Sequence, residues 1–379
     1  MRFNIIGAGP GGLYLAFLLK RSHPSYEVRV FEQNAPDVTF GFGVVLSGRA
    51  LSFVAEGDNA IVERISPYMQ SWKDQHIIHK GVQVVIDGNS FSAIERLLLL
   101  REMQGLCREA GVEIEFSSRI LNSAEHANCD VLVGADGANS AIRDNYIDAF
   151  GTRVMDLQNY FAWYGVEVPY AAHTLTFRRT RDGVFCAHHY RYTPTKSTFV
   201  GEVDSDTWHR SGMSTMDDEE RRKFVQDIFS DTLFDKPLIA NRSIWKRWRL
   251  VTNDRWHFRN IVLIGDALRT AHPSIGSGTR LAMEDSVALW RAFETEGNKV
   301  TAALNRYERE RKPIRDKLNR AGELSVAWYE EMASKMALSP YNFAYDYLLR
   351  TNVMTAERLV KESPDFMSRY RHAHLMATA

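Results

Sequence analysis

The sequence of 379 residues predicts an α/β fold in which a parallel-sheet domain is interrupted by an antiparallel sheet. Two strand–glycine–helix patterns, one near each end of the domain, predict the parallel sheet. Between them lies an aromatic and β-branched stretch with turn residues, which is typical of an antiparallel meander. We therefore expect a discontinuous first domain of residues 1–155 and 255–320, an inserted sheet domain of residues 156–254, and a helical C-terminal segment of residues 321–379.

The composition excludes several classes of protein. Lys+Arg and Asp+Glu both number 47, so no net charge draws the chain to nucleic acid or to an acidic membrane. Cys107, Cys129 and Cys186 are widely spaced and odd in number, which fits neither a disulfide framework nor a metal site. No apolar run approaches the roughly 20 residues of a membrane span. We expect a cytoplasmic protein with no metal, nucleic-acid or membrane partner.

The N-terminus carries a complete dinucleotide-binding pattern. Residues 7–12 read GAGPGG and stand between a short apolar strand and an apolar helix. The next strand ends at Glu32, about twenty residues further on. Gly7, Gly9 and Gly12 would allow the tight turn, the approach of a pyrophosphate and close helix–strand packing, and Glu32 would bind ribose hydroxyls. An acid at this position favours a free ribose, as in FAD or NAD.

A second glycine loop follows the apolar strand at residues 261–264. A glycine at the strand tip lets a ligand approach the backbone, and the carboxylate after it can accept hydrogen bonds from ribityl or ribose hydroxyls. Glycines further along leave backbone N–H groups at the start of a helix, where negative charge is favoured. The candidate ligand-binding residues of this loop are Gly265, Asp266, Pro273, Gly276, Gly278 and Thr279.

Three further candidates carry less specific signals. Asp136 follows a third buried strand and repeats the strand–acid pattern, although Asp-Gly is also a common turn pair. Gly43 and Val44 belong to an apolar, glycine-spaced loop that could end a strand or lie along a flat ring. Arg96 stands at the start of a predicted helix, where the residue pattern alone favours a solvated side chain.

Together these motifs resemble the single-component FAD-dependent aromatic hydroxylases with the para-hydroxybenzoate hydroxylase fold, over essentially residues 1–330. The resemblance rests on Gly7-x-Gly9-x-x-Gly12 with Glu32, on Asp136-Gly137 with Arg143, and on Gly265-Asp266 with Pro273 and Gly278. It implies that Arg96 contacts FAD, that Asp266 binds the ribityl chain, and that Gly278-Thr279 lies near the pyrimidine edge of the flavin. It also implies that Asp136 and Gly137 lie near the cofactor and affect the use of NAD(P)H.

Within that family the sequence is similar to the salicylyl-CoA 5-hydroxylase and 2-aminobenzoyl-CoA monooxygenase branch. The segments that carry this similarity are Gly41-Phe42-Gly43-Val44-Val45, Trp163-Tyr164-Gly165, His188-x-Tyr190, Ser197-Thr198-Phe199, Ser274-Ile275-Gly276-Ser277-Gly278-Thr279 and Ala282-Met283-Glu284-Asp285. Two departures border the expected flavin site: Leu268-Arg269 stands where relatives usually have Ala-His, and Pro273 stands where the branch tends to carry an aromatic residue.

The resemblance implies that NAD(P)H, binding transiently, reduces FAD, that O2 adds at the flavin C4a carbon, and that the hydroperoxide hydroxylates an electron-rich aromatic ring. The expected substrate is an aromatic acyl-CoA thioester such as salicylyl-CoA. His188 and Tyr190, which share a strand face, are the candidates to activate the substrate's OH or NH2 group. The candidate substrate-binding residues are Trp163 and Tyr164, together with Arg178 and Arg191, which could hold CoA phosphates or a carboxylate.

Each of these residues also has an ordinary structural interpretation. A histidine in a sheet is more often packed than catalytic, and arginines on a meander are usually surface charge. Two functional alternatives also stay open: a hydroxylase of a free aromatic or indolic acid, related to tryptophan hydroxylation, and a flavin-dependent reductase or dehydrogenase that does not use O2.

Overall fold

The computed structural model describes residues 1–126, 128–276 and 278–378, so that Ser277 of the second glycine loop lies outside the described residues. The strands are β1 (Arg2–Ile6), β2 (Glu27–Phe31), β3 (Gly43–Ser47), β4 (Gln70–Trp72), β5 (Gln75–His79), β6 (Val82–Ile86), β7 (Phe91–Glu95), β8 (Glu113–Glu115), β9 (Val131–Gly134), β10 (Thr152–Val166), β11 (His173–Arg179), β12 (Val184–Arg191), β13 (Ser197–Val203), β14 (Lys246–Asn253), β15 (His257–Phe258) and β16 (Ile261–Leu263).

The helices are α1 (Pro10–Ser22), α2 (Gly48–Ala55), α3 (Ala60–Ile65), α4 (Arg96–Ala110), α5 (Ala141–Asp144), α6 (Ile147–Phe150), α7 (Ser205–Arg210), α8 (Asp218–Ile228), α9 (Ser230–Leu233), α10 (Gly265–Leu268), α11 (Gly278–Glu296), α12 (Val300–Glu330), α13 (Met332–Lys335), α14 (Pro340–Leu349), α15 (Ala356–Glu362) and α16 (Pro364–Thr378). Short 3-10 turns lie at Ser66–Tyr68, Ser123–His126 and Pro273–Ile275.

The predicted α/β class is confirmed. Among the described residues one sheet has the order β15-β16-β9-β1-β2-β8, and its neighbours pair in parallel except for β15 with β16. β1 and β9 are almost entirely buried, as expected for strands covered on both faces. Because β1, β9 and β16 are parallel neighbours, the loops that follow them meet at one edge of the sheet.

The antiparallel meander forms a second sheet, whose order in the described chain is β14-β10-β13-β12-β11-β5-β6. Two of its strands, β5 and β6, come from the first segment of the chain, which the sequence pattern did not predict. Ile77 of β5 and Val84 and Ile86 of β6 are fully buried, so this hairpin completes the hydrophobic core at that end of the sheet. The sheet is therefore built from both segments and cannot be separated at residue 156.

Helix α12 is continuous across Pro313, although a proline inside a helix commonly kinks or breaks it. Its continuity has a local cause, because Arg311 and Arg315 on either side of the proline are tied to acidic residues of α11. These buried ion pairs hold the turn in which the proline cannot donate a hydrogen bond. The predicted start of the C-terminal segment at residue 321 consequently falls inside α12.

Asp285 of α11 is the centre of this ion-pair cluster and has no exposed surface. Its carboxylate accepts hydrogen bonds from Arg311 Nε at 2.9 Å and from the backbone N–H of Gly265 at 3.1 Å. Arg315 Nη1 lies 3.5 Å from the same carboxylate. One buried anion thus joins α11, α12 and the loop after β16.

Replacing Asp285→Ala should lower the free energy of unfolding by about 3–5 kcal/mol, because it leaves the buried Arg315 without its anion and removes one of the two carboxylates that pair with Arg311. The matched control is Glu362→Ala, which removes the exposed ion pair with Arg358 and should cost less than about 1 kcal/mol. Chemical denaturation followed by tryptophan fluorescence measures both. Equal effects of the two substitutions would contradict the role given to Asp285.

Candidate active site

The three glycines of the first loop have distinct environments. A Cβ added at Gly7, where φ is +110°, would lie 2.3 Å from the carbonyl oxygen of Ala135, and one added at Gly12 would lie 2.0 Å from the carbonyl oxygen of Gly7. A Cβ at Gly9 would meet nothing within 4 Å. Gly7 and Gly12 therefore allow close packing of the chain on itself, whereas Gly9 borders open space at the start of α1.

Glu32 lies beside this loop at the end of β2. Its Oε2 accepts a hydrogen bond of 2.9 Å from the backbone N–H of Ala8, and its Oε1 accepts bonds from the backbone and side chain of Asn34. The carboxylate is held at the glycine turn, as the dinucleotide-binding pattern requires.

Asp266 and Arg96 are charged groups inside the protein without an ion-pair partner in the described chain. Burial raises the pKa of the Asp266 carboxyl, although Arg315 and Arg96 act to lower it, and no described residue donates a hydrogen bond to it. Burial lowers the pKa of the Arg96 guanidinium, whose Nε donates to Thr39 Oγ1 at 3.0 Å. Both side chains are only half-buried by solvent accessibility, which is typical of groups that line an internal space.

The two carboxylate oxygens of Asp136 have different environments. Its Oδ2 accepts a hydrogen bond of 3.2 Å from the backbone N–H of Ile142, while Oδ1 is buried and has no hydrogen-bond partner among the described residues. Burial raises the pKa of this carboxyl. The nearby Arg143 donates to the carbonyl oxygens of Ala138 and Ala267 and so joins the loops after β9 and β16.

The Pro273–Ile275 turn and the start of α11 form the other wall of this space. Gly276 has φ of +56°, a left-handed conformation that favours glycine, and a Cβ added at Gly278 would meet nothing within 4 Å. Thr279 lies in the first turn of α11, so that the helix N-terminus borders the same open region. This is the arrangement that the sequence predicted for binding a negatively charged group.

Tyr190 bonds to the main chain of the Gly43 loop. Its hydroxyl donates to the carbonyl oxygen of Gly43 at 3.0 Å, and burial raises its pKa to about 12. Thr198 Oγ1 accepts from the Gly43 N–H at 2.9 Å. A Cβ at Gly43 would lie 2.5 Å from Cβ of Tyr192, so the loop is pressed onto the sheet. The Tyr190 hydroxyl, which the sequence analysis named as a catalytic candidate, is thus engaged with the loop that carries Gly43 and Val44.

His188 is paired with a buried acid that the sequence analysis missed. Glu202 Oε2 lies 3.4 Å from His188 Nε2, and Glu202 Oε1 accepts a hydrogen bond of 2.9 Å from Asn159. Burial alone would raise the pKa of Glu202, but the His188 contact and the neighbouring His272 and Asn159 lower it. The only sequence signal was an acid within the apolar strand β13.

An aromatic wall lies beside this pair. Trp163 shares a sheet face with His188, because both are register partners of Val200. Ring centroids of Phe161 and Trp163 are 4.9 Å apart, and Trp248 lies 5.3 Å from Phe161. We call the region lined by His188, Glu202 and this wall the substrate pocket, after the substrate site that the sequence predicts at His188 and Trp163.

The remaining predicted substrate residues do not reach this pocket. Tyr164 lies on the opposite face of the sheet, buried, and accepts a hydrogen bond from Trp245 Nε1 at 2.9 Å. Arg178 and Arg191 also occupy that face, and Arg178 is paired with Asp231. Within the described residues, Arg178 and Arg191 therefore do not cluster beside His188, because consecutive strand residues point to opposite faces.

Comparison with known proteins identifies the family. Residues 101–321 match the model of the FAD binding domain, and residues 5–41 match that of the NAD(P)-binding Rossmann-like domain. The chain is 35% identical over 361 residues to salicyloyl-CoA 5-hydroxylase from Streptomyces sp, covering 93% of this chain and 70% of that protein. It is 31% identical to 3-hydroxy-4-methyl-anthranilyl-[aryl-carrier protein] 5-monooxygenase from Streptosporangium sibiricum, covering 88% and 90% of the two chains.

The chain belongs to the FAD-dependent aromatic monooxygenases. Solved structures share the fold: 2-methyl-3-hydroxypyridine-5-carboxylic acid oxygenase has a TM-score of 0.74 at 17% identity, covering 95% of each chain. PqsL from P. aeruginosa, in complex with 2-aminobenzoylacetate, has a TM-score of 0.69 at 21% identity, covering 87% of this chain and 97% of that one. The two domain models support FAD as the cofactor of this monooxygenase and NAD(P)H as its reductant.

The residues at the edge of the parallel sheet fit FAD. The open space at Gly9 and Gly278 would admit a pyrophosphate and a flavin ring close to the backbone. The unpartnered carboxylate of Asp266 and the free N–H groups of Arg96 would find hydroxyl and carbonyl partners on such a ligand. In the part of the monooxygenase that the structure describes, no helix has the length and apolarity to cross a membrane.

Alanine substitutions of Gly9 and Gly12 should affect different properties, FAD affinity for Gly9 and the stability of the apoprotein for Gly12. Gly9→Ala should leave the thermal unfolding of the apoprotein unchanged but weaken FAD binding about tenfold or more, because the new methyl group enters only the open space. Gly12→Ala should lower the melting temperature of the apoprotein, since its Cβ collides with the Gly7 carbonyl. Fluorescence titration with FAD and calorimetry measure the two effects, and a destabilised Gly9→Ala apoprotein would refute this assignment.

Proposed function

We propose that this monooxygenase uses NAD(P)H and O2 to hydroxylate an aryl thioester that carries a hydroxyl or amino group ortho to its carbonyl, such as salicyloyl-CoA. The observation that carries the proposal is the buried His188–Glu202 pair beside an aromatic wall. The names of two relatives support the substrate class, since both proteins act on thioesters of 2-substituted aromatic acids at position 5. Position 5 is para to the activating substituent.

His188 is suited to act as a general base. If Nε2–H points to Glu202, Nδ1 keeps a lone pair, and no described residue donates to it. The substrate's phenol or amine could therefore donate to Nδ1, which increases the electron density of the ring. Glu202 fixes the orientation of the imidazole and stabilises its positive charge once it has accepted a proton.

Other residues of the chain hold the cofactor and exclude water. Bound FAD, once reduced, supplies activated oxygen for transfer to the ring. Asp266, Arg96 and the glycine loops would bind it, and Tyr190 would keep the Gly43 loop in position. Phe161, Trp163 and Trp248 would shield the reaction from water, which limits the wasteful release of H2O2.

Product analysis tests the proposal. The holoenzyme should convert salicyloyl-CoA or 2-aminobenzoyl-CoA to a product with one added oxygen, para to the ortho substituent and labelled from 18O2. A panel with free salicylate, anthranilate and tryptophan separates thioester from free-acid hydroxylation. NAD(P)H oxidation with no label in any product would instead support a reductase. Arg178→Ala serves as a control and should leave the affinity for the CoA thioester unchanged, because Arg178 lies on the far face of the sheet.

Substitution of the proposed base gives a second test. His188→Gln should lower kcat by about 100-fold, because it removes the proton acceptor. Glu202→Gln should lower kcat by less, since His188 remains but loses its fixed anion. Neither variant should lose FAD, whose proposed contacts lie elsewhere. Stopped-flow measurement of product formation checks both, and full activity of His188→Gln would remove this histidine from the mechanism.

The pH dependence follows from the lowered pKa of Glu202. A carboxyl whose pKa is depressed stays charged above its ordinary value of about 4.3 and loses its charge only as the pH falls through the lower value. The native enzyme should therefore keep a higher kcat/KM than Glu202→Gln down to about pH 5. Profiles of kcat/KM measure it, and loss of that advantage near neutral pH would show that Glu202 is already protonated there.

A further inference from the structure

A chain of hydrogen bonds runs from the C-terminal helices to the second glycine loop. Arg350, the C-cap of α14, donates from Nε to Ser325 Oγ at 3.0 Å. Ser325 Oγ lies 2.8 Å from Ser274 Oγ, which lies 2.7 Å from His272 Nδ1. These four residues come from three separate segments. His272 and Ser274 flank Pro273 in the second glycine loop.

Two groups that can only donate, the Arg350 guanidinium and the backbone N–H of Ser274, determine the direction of these hydrogen bonds. Arginine can only donate, so Ser325 accepts from it and is free to donate its own proton to Ser274. The backbone N–H of Ser274 also points to His272 Nδ1, at 3.2 Å, and it too can only donate. Nδ1 must therefore be an acceptor, which leaves the proton of the neutral imidazole on Nε2.

His272 is buried, and no described residue accepts a hydrogen bond from its Nε2. Its ring centroid lies 6.2 Å from that of Trp248 and 6.4 Å from that of Tyr329, at the edge of the substrate pocket. Burial lowers the pKa of His272 to about 4; Glu202 acts against this, while His188 and Arg350 reinforce it. The imidazole is therefore neutral near pH 7 and presents a fixed N–H donor.

We propose that His272 is a specificity-determining residue whose Nε2–H binds the carbonyl oxygen of the aryl thioester, and that Arg350, Ser325 and Ser274 position it as that donor. The inference rests on the proposed function and extends it. An ortho-hydroxyaryl carbonyl compound carries a donor and an acceptor on adjacent ring positions. The acceptor at His188 Nδ1 and the donor at His272 Nε2 match these two groups.

Arg350 connects the C-terminal helix α14 to the proposed substrate site. Arg350 is held in place by the carbonyl oxygens of Tyr347, at 2.8 Å, and Ser274, at 3.2 Å, and its guanidinium lies 3.6 Å from the ring centroid of Tyr347. These contacts stabilise the guanidinium cation, which has no carboxylate partner in the described chain. Arg350 is therefore a positioning residue that acts through Ser274 and Ser325.

A comparison of two ligands tests the contact with the carbonyl group. The probes are salicyloyl-N-acetylcysteamine, a thioester, and its 2-hydroxybenzyl thioether, which lacks the carbonyl oxygen. His272→Leu should weaken binding of the thioester to the FAD-loaded enzyme about tenfold and leave binding of the thioether unchanged. Equal weakening of both ligands, or of neither, would overturn the proposal. Perturbation of the flavin absorption spectrum measures both affinities.

A second substitution tests the relay without touching the ligand. Ser325→Ala should reproduce part of the thioester-selective loss, and Ser325→Thr, which keeps the hydroxyl, should restore it. His23→Gln alters a partly exposed histidine that is paired with Glu294, and it serves as the control that changes neither affinity. If Ser325→Ala binds both probes like the native enzyme, Arg350 and Ser325 do not position His272.

The tautomer can be observed directly in the resting holoenzyme. With 15N-labelled histidine, His272 should show a protonated Nε2 and an unprotonated Nδ1, assigned by comparison with His272→Leu. A protonated Nδ1 would overturn the inference whatever the substrate. If the native enzyme hydroxylates no aryl carbonyl compound, the proposed function fails instead, and the tautomer measurement still tests the relay on its own.

Discussion

The buried carboxylate of Asp285 is the constraint on which the other parts of the active site depend. It binds the backbone of Gly265 and two arginines of α12, so it fixes the loop after β16 against that helix. Asp266 follows Gly265 directly, and Ser325 lies further along the same helix. One ion-pair cluster therefore fixes both the loop that carries Asp266, the proposed cofactor-binding acid, and the helix that carries Ser325, the proposed relay residue.

The cofactor-binding half of the fold could be predicted from the sequence because its geometry is local. Gly12 packs on Gly7, five residues earlier in the chain, and the open position at Gly9 lies between them. A pattern of strand, glycines and helix fixes these contacts with little help from distant residues. Asp266 was predictable for the same reason, since it follows a buried strand whose carboxyl end must lie at the ligand edge.

The substrate side could be predicted only in part, because it depends on strand phase and on long-range packing. The two-residue period of a strand correctly placed His188 and Tyr190 on one face of the sheet. Trp163 and Tyr164 could not both be substrate-binding residues, since neighbouring residues in a strand face opposite ways. Glu202 becomes recognisable only once the pairing of β12 with β13 is known. Arg350 is linked to His272 through Ser325 and Ser274 by the packing of the C-terminal helices, which no local pattern predicts.

The charges around the pocket bear on the choice between a thioester and a free acid. Glu202 is a buried anion, so a second carboxylate bound nearby would be repelled in a medium of low dielectric constant. Arg350 is a nearby cation, and three of its five N–H groups donate to Ser325, Tyr347 and Ser274, which hold the guanidinium against the C-terminal helices. A free aryl carboxylate would thus be repelled by Glu202. A thioester carbonyl carries no charge and needs only one donor, which a neutral His272 can provide, so we infer that this balance of charges favours the thioester.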